Sequence, residues 1–541
     1  MDALVVLGLV ALAAILRLPN LATRGTWDGD QGHDMLVLRD WVQNGVVPLL
    51  GPPTSIGDVH HGALYYYLLA PAAFLTGGDS PLAVVSVIAL AGIAAVAVTW
   101  WLARAIAGPV AGLVAGLLLA VSTSAVDGST FIWNPNLIAL SSAVALAGAW
   151  QAWRTQRPRW WLVAALGTAV TVQCHVLGVA MVPIVGALLI ADWRRSAGAA
   201  RTAVARAGLG WATIVALSYL PLAIHELTSD FSELEAALAY LRSGGDASAA
   251  GPLARFPIVS VRVVTWPLAG LITEAGVPAL LAAVAVVAVV ILRWRARDPD
   301  ERLAVRWLGL GVLWTCLFLT IAAPSLAVVI PDLPNDHYHA FADPMVVVIL
   351  GLGAAAAWRG ATGASEAAVR IGWVAAAAGV LALCGWNLAT QPPAVNPDGG
   401  FPAAAVAADR IVATTGDAPL TLRSLPAFKS SEAYAYPLVR IGRTVDPASV
   451  GTGASLVVIC DVRFEVAIGA ACGGPAEDTL LRTVGGAWTL ADRFEAAPGR
   501  IISVYLATAQ ESRTPAPQTL AFACPFGPDQ EGGPSRAPSG S

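Results

Sequence analysis

Residues 81–103 read PLAVVSVIALAGIAAVAVTWWLA, an apolar run without a charged side chain. A helix of about 20 apolar residues spans the hydrocarbon core of a bilayer, which is about 30 Å thick. This stretch therefore predicts a membrane-spanning helix. Similar runs lie on both sides of it along the chain, and together they predict a polytopic membrane protein.

Composition supports this interpretation. The chain has 541 residues, of which 56% are hydrophobic and 13% charged, and its mean hydropathy is +0.66. Soluble domains are far less apolar. The formal net charge of -4 gives no electrostatic support for a nucleic-acid partner. Because the N-terminus has no basic n-region and no small-residue cleavage site, we expect the run from Ala3 to Leu18 to be a retained first span.

The fold class expected from these runs is an all-α membrane bundle of about eleven transmembrane helices with a C-terminal extracytoplasmic α/β domain. The expected spans are 3–18, 81–103, 108–124, 137–153, 160–174, 177–192, 208–224, 272–292, 307–330, 341–357 and 371–389. Arginines flank 160–192 on both sides and should all face the cytoplasm. That region therefore needs two crossings, with the turn near Cys174 and His175.

The same arginine bias predicts which side each loop faces. The N-terminus should be cytoplasmic, and the arginine-poor loops should lie outside the plasma (inner) membrane. The segments that then face outward are the first loop at 19–80, the loops at 225–271 and 331–340, and the tail from about residue 390. We expect residues 1–390 to be the transmembrane domain.

The tail is predicted to be a separate domain at 391–526, followed by a disordered stretch at 527–541 that is rich in Pro, Gly and Ser. Its expected elements are helices at 403–415 and 430–439 and strands at 419–423, 455–461 and 501–507. An exported domain permits a disulfide. We expect Cys460 or Cys472 to be oxidised, with Cys524 as the partner.

The first outer loop contains the polar stretch from Thr26 to Asp34, TWDGDQGHD. Three carboxylates and a histidine so close together indicate chemistry, and the glycines between them allow a tight turn. A short amphipathic helix is expected from Met35 to Trp41. The structural alternative is a solvated loop in which Asp34 caps that helix.

All seven histidines fall on the outer side of the predicted topology: His33, His60, His61, His175, His225, His337 and His339. Polar groups at the mouth of a span are costly unless they are paired or used, which draws attention to His337-Tyr338-His339. This spacing matches no known zinc pattern. We therefore predict no metal site and no required cofactor, although a divalent cation remains an open alternative.

Two further polar stretches lie at the same level. Tyr65, Tyr66 and Tyr67 follow His60-His61 and suit a helix in the headgroup layer, where an aromatic belt alone explains them. Trp133-Asn134-Pro135-Asn136 supplies amides before the fourth span, and a helix start with proline in its first turn is an equal explanation.

The order of these motifs resembles that of the GT-C membrane glycosyltransferases, in the branch of the protein O-mannosyltransferases and lipid A aminoarabinose transferases. The resemblance covers about residues 1 to 390. It rests on Gly29-Asp30-Gln31, the Leu64-Tyr65-Tyr66-Tyr67 segment, the polar loop before span four, Gln173-Cys174-His175, and His337-Tyr338-His339 leading to Asp343-Pro344. Where the family usually has Asp-Glu in the first loop, this chain has Asp30 and Gln31.

The resemblance implies transfer of a sugar from a polyprenyl-phosphate donor to an extracytoplasmic glycan, lipid or protein acceptor, with inversion. It implies that Asp30 is the general base, with Asp28 in reserve, whereas Asp34 caps or orients. Donors to the leaving phosphate would come from His337, His339 and His175, and from His61 or Arg255. The full expected substrate-binding set is His33, Asp34, His60, His61, Tyr65, Asn136, His175, Arg255, His337, Tyr338 and His339.

Two other functions are compatible with a polytopic bundle. A transporter or flippase of envelope precursors usually has its site near the midplane on broken helices in paired repeats. This chain shows no such repeat and gathers its ionisable groups at one face. A non-catalytic scaffold that binds through the tail would not need the cluster in the first loop.

Overall fold

A computed structural model gives the fold and describes residues 2–54, 59–242, 251–328, 336–360, 365–427, 431–445 and 454–507. The predicted disordered stretch at 527–541 lies outside these ranges.

The chain begins with one helix of the membrane part, and a polar region with three helices and a small hairpin follows. These elements are α1 (Asp2–Arg17), α2 (Leu21–Arg24), α3 (Gly29–Asn44), β1 (Leu50–Pro53), β2 (His60–Gly62) and α4 (Leu64–Leu75). The two strands pair in antiparallel fashion. The described part of the region between the first two long apolar segments is therefore largely helical.

The rest of the membrane part is helical. Its elements are α5 (Pro81–Ala107), α6 (Pro109–Val121), α7 (Thr123–Asp127), α8 (Ile138–Thr155), α9 (Trp160–Cys174), α10 (Met181–Arg195), α11 (Gly198–Leu217), α12 (Leu220–Thr228), α13 (Ser232–Arg242), α14 (Pro252–Ala269), α15 (Ile272–Ala275), α16 (Val277–Arg293), α17 (Pro299–Ala322), α18 (Asp343–Arg359) and α19 (Glu366–Ala389). Short 3₁₀ segments precede α8, α10 and α18, at Asn134–Leu137, Val176–Ala180 and Asp336–Ala342.

The predicted count of eleven spans is not confirmed. By length and composition, five helices of the described ranges can cross a membrane, or six if the bent pair α11 and α12 counts as one span. Several expected spans are shorter apolar helices, namely α6, α9 and α16. The structure therefore supports a multi-pass membrane protein, and the exact number of crossings stays a prediction.

The predicted turn between the segments 160–174 and 177–192 is confirmed. Helix α9 ends at Cys174, and His175 has an extended backbone conformation. The indole of Trp161, at the start of α9, donates to the carboxylate of Asp192 near the end of α10, with an Nε1–Oδ2 distance of 3.0 Å. Because the first turn of one helix meets the last turn of the next, the two helices run in opposite directions.

Small residues allow close helix packing in this part of the bundle. A Cβ atom on Gly148 of α8 would lie 2.6 Å from the backbone nitrogen of Ala164 in α9. Any side chain there would push the two helices apart. The backbones of α8 and α9 can therefore approach each other closely because residue 148 is a glycine.

The tail contains a four-stranded sheet with helices around it. The elements are α20 (Gly400–Thr415), β3 (Leu420–Leu425), α21 (Glu432–Arg440), β4 (Ser455–Asp461), α22 (Glu465–Ile468), α23 (Pro475–Val484), β5 (Trp488–Ala497) and β6 (Arg500–Ala507). The strand order is β3-β4-β6-β5, in which β3 and β4 are parallel and the other pairs antiparallel. The small α/β unit expected from the sequence is present, and α23 and β5 are elements that the sequence pattern did not reveal.

One expected disulfide pairing is wrong. Cys460 at the end of β4 bonds to Cys472, with Cα atoms 5.8 Å apart. The short turn between them, which includes α22, returns the chain to the end of the strand and brings the two cysteines within bridging distance. The expected partner, Cys524, lies outside the described residues. Cys174, Cys316 and Cys384 are buried as free thiols.

Candidate functional site

The acidic stretch of the first outer region forms the start of a helix. Asp28 is the N-cap of α3, and its carboxylate accepts from the backbone N–H of Gly29 at 2.8 Å. The Gln31 side chain accepts from the N–H of Asp28 at 2.8 Å, which completes a capping box. The helix therefore begins before the predicted start at Met35, and Asp28 rather than Asp34 caps it. Asp30 is in the first turn.

A cavity of about 830 Å³ lies beside this first turn. Four residues of the predicted site line it: Asp28, Asp30, Asn136 and His337. They come from α3, from the 3₁₀ turn before α8, and from the 3₁₀ segment before α18. Segments far apart in sequence thus meet around one cavity.

The described lining also includes ionisable groups that the sequence analysis did not single out as site residues. These are Arg17, Asp127, Asp343, Asp398 and Arg500. Burial raises the pKa of Asp127 to about 6, although the charge of Arg24 opposes this shift. Carboxylates and cations therefore surround the same space, and the cations suit a substrate with anionic and hydroxyl groups.

His337 lines the cavity and contacts a series of aromatic rings. Its ring centroid is 4.2 Å from that of Trp133 and 4.5 Å from that of Tyr338. The ring centroid of His175 is 5.6 Å from that of His337, and the ring centroid of His61 is 4.9 Å from that of His175. Burial lowers the pKa of His61 well below its ordinary value, helped by the charges of His175 and His60. His61 is therefore a neutral imidazole near neutral pH.

Asp34 of α3 contacts Tyr65 of α4 away from the lining of the cavity. The buried Asp34 carboxylate accepts from the hydroxyls of Tyr65 at 2.7 Å and Tyr66 at 2.8 Å. Burial raises the pKa of Asp34 to about 7, against the opposing effects of His33 and the two hydroxyls. Neither Asp34 nor Tyr65 is among the described lining residues of the cavity. Their contacts join α3 to α4.

His33 contacts the tail. Its Nδ1 atom lies 3.0 Å from both carboxylate oxygens of Glu432 in α21. Gly32 is adjacent, and a Cβ atom there would clash with the backbone of Glu432 and Ala433. The start of α3 is therefore packed closely against the tail, and His33 is one of the residues that join the two.

The remaining predicted residues lie away from the cavity. His60 pairs with Glu233 of α13 at 2.7 Å. His339 is fully buried, and its Nε2 atom lies 3.1 Å from the carboxylate of Asp336, which also pairs with Arg262. Arg255 is buried in α14 and does not line the cavity. His60 and His339 are therefore engaged in contacts within the fold.

The missed residues carried weak signals. Asp127 is a lone carboxylate between two apolar runs, and Arg17 is a lone cation at the end of the first one. Asp398 and Arg500 belong to the tail. No sequence pattern predicts that the tail docks against the first loop. Within the described ranges, no group of three or more His, Cys, Asp or Glu side chains is arranged to hold a metal ion.

Comparisons with known proteins bear on the fold. The family described as dolichyl-phosphate-mannose-protein mannosyltransferase matches residues 60–219. ArnT from Cupriavidus metallidurans bound to undecaprenyl phosphate is similar with a TM-score of 0.52 and 14% identity, over 92% of this chain and 97% of that chain. The Archaeoglobus fulgidus oligosaccharyltransferase in complex with Zn and sulfate has a TM-score of 0.51 and 13% identity, over 85% of this chain and 68% of that chain. No curated protein matches the chain in sequence. At these identities the similarity to solved structures concerns the fold.

Proposed function

We propose that this chain, which has the GT-C fold of the membrane glycosyltransferases, transfers a sugar from a polyprenyl-phosphate donor to an extracytoplasmic acceptor with inversion. The matched family is named for a lipid-phosphate sugar donor, and the similar ArnT structure holds undecaprenyl phosphate. The acceptor class stays open among a glycan, a lipid and a protein.

The observation that carries the proposal is the position of Asp30. This carboxylate is exposed at the wall of the cavity, in the first turn of α3. Asp28 is engaged as the helix cap and in an ion pair with Arg500. A general base must be able to reach the proton that it removes. The geometry therefore favours Asp30 over Asp28 for that role.

In the proposed step, the acceptor hydroxyl attacks the anomeric carbon of the donor from the side opposite the phosphate. The new carbon–oxygen bond forms as the bond from the anomeric carbon to the phosphate oxygen breaks. Asp30 takes the hydroxyl proton, and the polyprenyl phosphate leaves with the electron pair of the broken bond. Because a phosphate ester leaves as an anion, it needs positive charge and hydrogen-bond donors more than a general acid.

Groups that can serve the leaving phosphate line the same cavity. His337 has its ring at the wall, and the buried guanidinium of Arg17 adds positive charge near the end of α1. Arg17 donates to the carbonyls of Ala120 at 2.8 Å and Leu119 at 3.1 Å and to Ser129 Oγ at 3.2 Å. It therefore acts as a fixed charge, and His337 is the candidate for direct contact.

The cavity also suits a substrate with a lipid tail. Part of its lining comes from Gly92 and Ala95 of α5, Leu119 of α6 and Ala139 of α8. These small and apolar residues belong to membrane helices, so a polyprenyl chain in the bilayer can approach while its phosphate stays at the polar wall. The polar wall would then place the sugar beside Asp30.

The proposal is tested with purified protein in detergent or nanodiscs and a panel of radiolabelled polyprenyl-phosphate sugars, with membrane extract as the acceptor source. We expect one donor to be consumed by the wild type and not by Asp30→Asn. If no donor is consumed and reconstituted vesicles instead move a lipid-linked precursor between leaflets, the chain is a transporter and the proposed chemistry is wrong.

A further inference from the structure

We propose that Arg500, a residue of the tail, is a positioning residue for the reaction at Asp30 and acts through the helix cap Asp28. This inference rests on the proposed function for its kinetic part. Its structural part is that a tail arginine fixes the first turn of α3. That part can be tested without any substrate.

Arg500 reaches from the sheet of the tail to the start of α3. It is the first residue of β6, and its side chain is 6% exposed. One terminal nitrogen donates to the carbonyl of Trp27 at 3.1 Å, and the other lies 3.2 Å from the carboxylate of Asp28. The Nε atom is 3.8 Å from the carboxylate of Asp461. All three nitrogens of the guanidinium thus face partners inside the protein.

This arrangement ties the position of Asp30 to the tail. Asp28 caps α3, and Asp30 is two residues further along in the same turn. Replacing Arg500 removes the cation beside the carboxylates of Asp28 and Asp461. Leaving these carboxylates without a cation is unfavourable at low dielectric. A shift of the cap would move Asp30 with it. Displacements of about 1 Å at a reacting group can cost about a hundredfold in rate.

Arg500 is not the contact that docks the tail on the membrane part. Trp27 donates from its indole to the carbonyl of Ala433 at 2.7 Å and from its backbone to Asp398 at 2.9 Å. Its ring also packs edge-on against Phe401, with centroids 4.8 Å apart. These contacts remain when Arg500 is replaced. The variant should therefore keep the tail docked and loosen only the cap.

A direct role in substrate binding makes a different prediction. If Arg500 held the donor phosphate, its loss would weaken donor affinity. Arg500 is among the residues that line the cavity, but its three nitrogens are engaged with Trp27, Asp28 and Asp461. We therefore expect donor affinity to stay within about twofold and turnover to fall by about tenfold to a hundredfold. Arg500→Lys keeps the charge but not the planar fork and should fall between wild type and Arg500→Gln.

The first test is hydrogen exchange of the full-length protein in detergent, comparing wild type, Arg500→Gln and Arg410→Gln. Arg410 pairs with Asp492 at the exposed surface of the same tail and is the matched control. We expect faster exchange in peptides covering residues 27–34 for Arg500→Gln alone, with strand β3, which does not pair with β6, unchanged. Unchanged exchange at 27–34, or equal loosening of β3, would overturn the inference.

The second test is a double-mutant cycle on turnover. If Arg500 acts through Asp28, then Asp28→Asn with Arg500→Gln should be no worse than the more damaging single variant. Additive losses, or donor affinity that falls in parallel with turnover, would mean that Arg500 acts elsewhere or binds substrate. If the wild type consumes no donor, the proposed function fails, and the exchange experiment still decides the structural part.

Discussion

His33 and Glu432, which lie 399 positions apart in the chain, form an ion pair with an Nδ1–Oε1 distance of 3.0 Å. One residue belongs to α3 of the first outer region and the other to α21 of the tail. The pair therefore reports on whether the tail is docked beside the cavity.

The first prediction concerns this pair and pH. Burial lowers the pKa of His33, but the hydrogen bond and charge of Glu432, with the charges of Asp34 and Asp30, outweigh it and raise the pKa to about 9 from 6.5. The protonated pair therefore stabilises the folded protein fully at pH values below the pKa of His33 in the unfolded chain. This contribution is lost as the pH rises through the pKa of about 9 in the folded protein. We expect His33→Gln to cost about 1 kcal/mol at pH 6, because both side chains are partly exposed, and nothing above pH 10.

The measurement is the apparent melting temperature from pH 6 to pH 10 at one scan rate. His225→Gln is the control, since the His225 ring forms a hydrogen bond with the hydroxyl of Ser232 rather than with a carboxylate of the tail. A deficit for His33→Gln that persists unchanged at pH 10 would contradict the role of the charged pair.

The second prediction concerns the two aspartates at the start of α3. Asp30→Asn keeps the size but removes the basic carboxylate, so turnover should fall by about a hundredfold or more. Donor binding and folded stability should be close to wild type. Asp28→Asn should lose less, because asparagine is also a good helix cap. Complete loss for Asp28→Asn with activity retained by Asp30→Asn would mean that the roles are reversed.

The third prediction separates two histidines of one segment. His337 lines the cavity, so His337→Ala should weaken both donor affinity and turnover. The sequence suggested the same for His339, but that residue is buried beside Asp336 and Arg262. We therefore expect His339→Ala to lower the melting temperature, with the loss of an internal hydrogen bond costing about 1 to 3 kcal/mol. Donor titrations and melting curves on both variants check this.

The fourth prediction concerns topology. The arginine bias places the N-terminus in the cytoplasm and the tail outside, and the cavity between the tail and the membrane helices would then open outward. A reporter that is active only outside the cytoplasm, fused after Ser541, should be active. Activity of a cytoplasm-only reporter at the same position would overturn the topology, and the site would face the wrong compartment for the proposed donor.

The fifth prediction concerns the cysteines of the tail. The pairing of Cys460 with Cys472 predicts one cross-linked peptide pair in a digest of non-reduced protein. Mass spectrometry should find this pair and a Cys524 peptide that is not linked to either cysteine. A cross-link between Cys524 and Cys460 or Cys472 would restore the pairing expected from sequence.

The sequence by itself determined those features that depend on local composition and periodicity. Apolar runs such as 81–103 require a bilayer, because nothing else can solvate so much apolar surface. The flanking arginines predicted a break at His175, which the structure contains. The abrupt change of composition after Asn387 marked the tail, and β4 was predicted with its observed bounds. The order of polar motifs indicated the GT-C fold.

Only the tertiary structure decided which polar residues share a cavity. His337 and His339 are two positions apart in one segment, yet one lines the cavity and the other is buried in an ion cluster. Asp127, Asp398 and Arg500 reach the same space from three separate parts of the chain. The physical reason is that composition and periodicity act over a few turns of helix, whereas the docking of the tail depends on contacts such as Trp27 with Ala433, which are 406 positions apart. No local pattern records such a contact, and the packed structure alone brings its two partners together.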